Sequence, residues 1–498
     1  MKRIVSLLTA VLMVISLAAI LPASSETVQW KGELKYLMTS TPTDPNDEPP
    51  ARKLEELTGY KVTYYTLPAE GFAEKLNLDL ASGVEYDIIR LGKNEFVDLA
   101  SRGAFVDLAP YLPQAPSLKA IMSDDMWNTA AIDGKILGIP QFDAHYVSAS
   151  IAINVQMFEE IGFTIEGHEG GRQVTLNEFV DLLRKLKANG AQYPLTGQGA
   201  FVDVIASAFG IVNHDWQPDL DGSIVYRWGH TNAKDYISFM HDLYEESLID
   251  PEWPMNKGEI TQTKLASGQA ASRQVGWTES TPLEASLMDS KGQTLDYLVA
   301  TVDDDGFGRL ASNGGVTMYG VIPVTSKQVD KVIDYLNIRS DFAVFQESFL
   351  GVEGEQWEFL DTDGDGEMEY WPILDEARLP GFTPWFNGHY YNIVNSPESF
   401  TTLWMARVRK GPVQYACTMK TMEFPQEKWV DSSIAFAPPL EAVSKNIAAM
   451  NTLMNDYVIE CIAGTRSIDE YDLVWAEFLA EGGQEMLDEV NGWVATQE

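Results

Sequence analysis

From residue 34 the chain alternates short apolar runs with amphipathic stretches, each pair separated by Gly or Pro. "LKYLMTS" is a brief apolar run suited to a buried strand. "PPARKLEELTG" carries apolar positions at helical spacing, with Pro near its start and Gly59 as its stop. "YKVTYYTL" is rich in β-branched and aromatic residues. "FAEKLNLDLASG" is helical to Gly83, "YDIIRLG" is a buried strand, and "NEFVDLASRG" is a helix stopped by Gly103. This βαβαβα order calls for a parallel sheet with right-handed crossovers. Ligands on such sheets sit at the carboxyl ends of strands, here Thr39-Ser40-Thr41 and Leu91-Gly92-Lys93.

The rhythm then changes. "AAIDGKILGIP" reads as a hairpin with an Asp133-Gly134 turn. Ser148 to Asn154 alternates as a strand and leads into a helix, a crossing into a second lobe. There "TLNEFVDLLRKLKANG" opens with a capping box, Thr175 with Glu178, and stops at Gly190. "AKDYISFMHDLYEESLID" is a second amphipathic helix. "GGVTMYGVIPVTS" is apolar and Gly-rich, and reads as a second crossing strand. "KQVDKVIDYLNIRSDFAVFQESFLG" supplies one or two helices to the first lobe, and Leu440 to Val494 is mostly helical. Two α/β lobes joined by more than one strand form a hinge whose cleft can close on a ligand.

Lys2 and Arg3, an apolar run, and Pro22-Ala23-Ser24-Ser25 make the first residues a secretory signal cleaved before Glu26. The organisation expected is therefore a signal peptide over 1–25, the first part of lobe 1 over 26–147, and lobe 2 over 148–316. The chain returns to lobe 1 over 317–375, and 376–498 completes lobe 2 with the C-terminal helices. No Cys stands at the cleavage site to carry a lipid, and no later run is long and apolar enough to span a bilayer. An exported protein, periplasmic or at the outer cell envelope, follows.

Of 498 residues, 45% are hydrophobic and the formal net charge is -38. The apolar fraction excludes a disordered chain, and the charge repels nucleic acid and anionic membrane surfaces. Two cysteines, Cys417 and Cys461, do not make a disulfide scaffold, and buried free thiols are expected.

Four segments in order resemble one family. They are "ASGVEYDII", "GAFVDLAPYL", "DGKILGIP" and "LYEESLIDPE", and the hairpin is the most specific. The chain is similar to the bacterial extracellular solute-binding proteins of family 1, the substrate receptors of ABC importers, in the branch of maltose- and oligosaccharide-binding proteins. The resemblance implies an α/β, two-lobe periplasmic-binding-protein fold of type II, with sheets flanked by helices. It also implies solute capture between the lobes and docking on a membrane permease, with the receptor a monomer and the solute an oligosaccharide first.

A sugar needs flat aromatic surfaces and polar forks. Candidate stacking residues are Trp277, beside Gly276, and Trp385, in "GFTPWFNGHYYN" with Asn387. Tyr319 and Asn313 lie in the second crossing. Asp143, His145 and Tyr146 follow the hairpin, where the resemblance places the cleft floor, and Thr39 and Ser40 close the first strand. For each aromatic a core role competes with a cleft role.

"DTDGDGE" places Asp361, Asp363 and Asp365 with Gly366 as in the first half of an EF-hand loop, which makes calcium the one cofactor to consider. The twelfth position, however, is Pro372 rather than a bidentate Glu, and the flanks alternate like strands. A surface hairpin explains the segment as well, and no other cofactor is expected. "GHEGG" lacks a second His, and neither a Gly-x-Ser-x-Gly elbow nor a Walker loop is present, so no enzyme is expected. A glycoside hydrolase or lyase, a calcium-stabilised adhesion module, and a receptor for a cationic peptide or polyamine are the rival readings.

Overall fold

The computed structural model describes residues 30–41, 44–68, 71–361, 364–373, 394, 396–409 and 411–497. The signal segment, Trp385, Asn387 and Asp363 lie outside these residues.

The alternation at the start of the chain folds as its pattern requires. Strand β1 (Gly32–Thr39) is followed by helix α1 (Pro49–Thr58), β2 (Tyr60–Leu67), α2 (Phe72–Ser82), β3 (Ile88–Gly92) and α3 (Lys93–Ser101). Gly59 ends α1 with φ of 75°, a left-handed cap that a side chain would strain. The hairpin pairs β4 (Ala131–Ile132) with β5 (Lys135–Ile136). Asp133 and Gly134 both take positive φ at its turn, as the type I′ geometry demands. β6 (Ile139–Tyr146) then enters the first sheet.

That sheet has the order β2-β1-β3, then β10 (Asn313–Val321), then β6. β1 runs parallel to β2 and β3, while β10 is antiparallel to both of its neighbours. The strand read as a second crossing therefore lies whole within the first sheet. The passage back is the short stretch just before it, at Ser312, rather than at residue 316. An apolar, Gly-rich run looks the same in either position, because only its partners distinguish them.

β7 (Ala149–Asn154) is the centre of the second-lobe sheet, between β8 (Ser272–Gly276) and β9 (Leu295–Leu298), and is antiparallel to both. Thr175 caps the helix Leu176–Ala188 through its hydroxyl, which accepts from the Glu178 N–H. The reciprocal half of the expected capping box does not form. The Glu178 carboxylate instead takes the His168 ring at 2.7 Å. The second-lobe core collects this helix, the helix Ala233–Glu245 and, from the helical C-terminal region, the long helix Glu441–Ile462.

The motif "LYEESLIDPE" has a structural explanation in this lobe. Asp250 is fully buried and accepts from Lys264 (2.6 Å), Thr196 (2.7 Å), Asn256 (2.9 Å) and the Glu252 N–H (3.0 Å). A buried carboxylate is tolerated only with such a full set of donors.

Among the described residues, three segments connect the lobes. The first joins β6 to β7 through Val147 and Ser148, and the second joins Leu310–Ala311 to β10 through Ser312. The third is 429–437, which pairs at Trp429–Val430 with Leu310–Ala311. It hydrogen-bonds β10 through the Ala435 carbonyl and Val316 N–H, and the second lobe through Ser433 N–H and the Trp216 carbonyl. Helix Pro397–Arg409 packs on β6, in the first lobe, where the sequence pattern places 376–498 in the second. The two cysteines are free and buried, Cys417 beside the hinge and Cys461 in the second-lobe core.

Candidate functional site

The carboxyl end of β3 and the start of α3 bring Lys93 and Asn94 to the face that meets the second lobe. Opposite them stand Asn213, Asp215, Trp216, Arg227 and, from the C-terminal helix, Asn451. Together these enclose a cavity of about 380 Å³. A second cavity of about 340 Å³ opens beside the hinge and is lined by Gln198, Phe201, Asp203, Arg273, Gln274 and Glu279. Asn213 lines both, so the two cavities adjoin: the first lies between the lobes and the second is walled by the second lobe and the hinge.

The polar groups are held by one another. Arg227 donates to Asn213 and, at 3.0 Å, to Asp215, whose other oxygen accepts from Asn451 at 3.2 Å. Arg273 donates to Thr261 at 2.8 Å and to Glu279 at 3.1 Å. Asp203 is 7% exposed and accepts from the Gln274 amide at 2.7 Å and the Asn213 amide at 3.4 Å. Burial pushes its carboxyl pKa up, against the pull of these amides and of nearby Arg227. From the first lobe, Lys93 donates to the Ala437 carbonyl at 3.4 Å, and burial pushes its pKa down to about 8. His214 also lines the interlobe cavity. Its Nε2 reaches the Ser312 and Val430 carbonyls at 3.1 Å each and ties the second lobe to two crossing segments.

The sequence candidates fall into three places. Asp143, His145, Tyr146, Asn313 and Trp277 come together where β6 and β10 meet the hinge. Asn313 pairs with Tyr146 and Gly315 with Asp143 across the two strands. Burial and the nearby Asp143 carboxylate raise the Tyr146 hydroxyl pKa, and the Trp277 and Asn313 side chains oppose the rise. The Tyr146 ring stacks on Trp404 at 4.2 Å. Trp277 meets Trp404 edge to face at 6.0 Å, and the Arg407 guanidinium lies 5.2 Å over the Trp277 ring. Trp277 is only 4% exposed, so its faces are already occupied and it offers no free platform for stacking. Burial raises the Asp143 carboxyl pKa, with Arg407 and Arg90 opposing. His145 is half exposed and pairs with Asp431 of the third connecting segment at 3.1 Å.

Tyr319 is a core residue. It is 0% exposed, stacks on Phe96 at 4.0 Å and donates its hydroxyl to the Thr129 carbonyl at 3.0 Å. Its place in β10 puts it on the α3 side of the sheet, away from the cleft. Thr39, the last residue of β1, and Ser40 lie beside Leu67, whose carbonyl accepts from the Ser40 N–H, and neither lines either of these two cavities.

Asp203, Asn213, Arg227 and Gln274 were missed. Two carried a local signal: Asp203 interrupts the apolar run "AFVDVIASAFGIV", and Arg227 interrupts "IVYRWGH". A charged residue inside an apolar run is buried with partners. The segment "DTDGDGE" joins the antiparallel strands Trp357–Leu360 and Glu369–Pro372, so the flanks are strands. Asp361 accepts from the Gly364 and Gly366 N–H groups at 2.7 and 3.2 Å, and Asp365 accepts from the Glu367 N–H at 2.7 Å.

Comparison with known proteins agrees with this fold. Over 256 residues the chain is 27% identical to the fructooligosaccharide ABC transporter substrate-binding protein FusA of Streptococcus pneumoniae serotype 4, across 45% of this chain and 46% of that one. The solved structure of alginate-binding protein AlgQ2 without calcium ion is similar with a TM-score of 0.67 at 17% identity, over 94% of this chain and 99% of that one. An HMO-binding, ABC-transporter-associated solute-binding protein of Bifidobacterium longum infantis gives 0.67 at 17%, over 93% and 98%. Both solved structures share the two-lobe fold. The model of the bacterial extracellular solute-binding proteins matches residues 41–337, and the chain belongs to that family.

Proposed function

We propose that the chain captures an oligosaccharide between its lobes and delivers it to an ABC importer. The observation that carries this reading is the cleft itself. Lys93 and Asn94 from one lobe face Asn213, Arg227 and Asn451 from the other across a cavity of about 380 Å³. These are donors and acceptors arranged as forks, as ring hydroxyls require, and pockets of roughly 300–1,000 Å³ suit small ligands. The relative FusA, described as binding fructooligosaccharide, supports the solute class. The chemistry ends at binding. The cleft carboxylates Asp215 and Glu279 are tied to arginines, which suits them to hold a ligand rather than to transfer protons.

The receptor acts as an exported monomer. Its permease reads the closed pair of lobes, since only closure brings both surfaces into one arrangement. In the loop at Asp361 and Asp365 backbone amides serve both carboxylates, which supports a hairpin held by its own hydrogen bonds. The test is a thermal-shift screen of the protein from Glu26 onward against neutral and charged oligosaccharides, amino acids, peptides and polyamines. A ligand at about a hundred times its Kd adds roughly 2.7 kcal/mol. A shift with an oligosaccharide that chromatography recovers intact supports the reading. A shift with another class alone, or a consumed sugar, contradicts it.

A further inference from the structure

The whole chain carries -38, yet the described lining of its cleft is balanced. Lys93, Arg227 and Asp215 line the interlobe cavity, and Asp203, Arg273 and Glu279 line the adjoining one, three cations against three carboxylates. Four of the six neutralise one another before any ligand arrives: Arg227 with Asp215 at 3.0 Å, and Arg273 with Glu279 at 3.1 Å. Two remain outside any ion pair among the described residues, and they stand on opposite lobes. Asp203 of the second lobe has amide partners from Gln274 and Asn213, and Lys93 of the first has the Ala437 carbonyl.

We propose that the cleft selects an uncharged oligosaccharide, gripped between the Asp203 carboxylate and the Lys93 ammonium. This rests on the oligosaccharide reading above and narrows it.

A polyanionic sugar must approach through the field of a strongly acidic chain and then be desolvated beside three carboxylates, with one unpaired ammonium to compensate. A polycation is drawn by that field but finds one unpaired carboxylate in the cleft and an opposing ammonium. A neutral sugar meets neither penalty. One hydroxyl donates to Asp203 and another accepts from Lys93, so each lobe contributes one charge-assisted hydrogen bond. Both bonds are made at once only when the lobes close, which couples recognition to closure. The self-paired arginines keep their forks fixed and present their remaining N–H groups without inviting a counter-charge.

The experiment is titration calorimetry on the full mature chain, at low and high salt (about 20 and about 500 mM NaCl). The probes are maltotetraose, nystose and mannotetraose as neutral sugars, tetragalacturonate as the anion and a chitosan tetramer as the cation. We expect binding by a neutral sugar alone, with a Kd that salt changes by less than about two-fold. Asp203→Asn and Lys93→Met each weaken that sugar by roughly 10- to 100-fold, the worth of one charge-assisted bond. Tighter binding of tetragalacturonate or the chitosan tetramer than of any neutral probe overturns the inference and leaves the oligosaccharide reading standing. So does a loss of affinity for a neutral sugar of about ten-fold in high salt. Binding by none of the probes overturns both. Should Asp203→Asn not fold, Lys93→Met and the salt series decide the question alone.

Discussion

Trp277→Ala separates a packing role from a ligand role at the hinge. The ring is buried, edge-on to Trp404 at 6.0 Å, with Arg407 5.2 Å above it and the Tyr146 hydroxyl at its edge. Truncating a buried Trp to Ala costs about 3–5 kcal/mol, through lost transfer energy and a cavity that neighbours fill only in part. Here the neighbours come from two other stretches of chain, β6 and helix Pro397–Arg409, so collapse around the gap is limited. At about 2.1 cal/mol/K per residue, 498 residues give an unfolding entropy near 1 kcal/mol/K. For one-step unfolding the loss therefore lowers Tm by about 3–5 °C. The assay is a pair of thermal and urea melts on the ligand-free protein, where the urea midpoint should fall with its slope unchanged. A Tm within about 1 °C of the wild type, with oligosaccharide affinity abolished, would refute the packing argument and make Trp277 a stacking platform.

Other perturbations test other parts of the account. Burial pushes the Asp250 pKa up, but Lys264, Thr196, Asn256 and the Glu252 N–H outweigh it and hold the carboxyl below its ordinary value. A depressed folded pKa stabilises fully above the unfolded value of about 3.9 and is lost as pH falls through the folded one. Asp250→Asn should therefore cost about 3–5 kcal/mol at neutral pH, and urea melts should show the gap to the wild type shrinking toward pH 3. At the hairpin between Leu360 and Glu369, exchange of calcium for chelator should move Tm by less than about 1 °C, and a rise of several degrees with calcium would establish a metal there.

The sequence and the fold agree most closely where information is local. The first three strands and helices, the Asp133-Gly134 hairpin and the Thr175 cap are each set by residues a few positions apart. Disagreement begins where long-range partners decide. "GGVTMYGV" reads equally as a crossing or a sheet strand until β3 and β6 flank it. Trp277 follows a glycine at a strand end, a natural place for an exposed aromatic, and is buried only because Trp404 and Arg407 arrive from 127 and 130 residues away. Tyr319 follows the same logic with Phe96. The cleft forks at 203, 213, 227 and 274 lie far apart in the chain, and no periodicity links them. Lys93 was reachable, because the carboxyl end of a parallel strand is where such a sheet presents its ligands.

The central claim is that both lobes hold the solute in one cleft. Amide hydrogen exchange with and without the best-binding oligosaccharide tests it most directly. The account predicts simultaneous protection at Lys93–Asn94 in the first lobe and at Asn213–Trp216, Arg227 and Ser444–Asn451 in the second, with outer helices such as Leu176–Ala188 unchanged. Protection confined to one lobe, or at an outer surface with none of these segments affected, would contradict it.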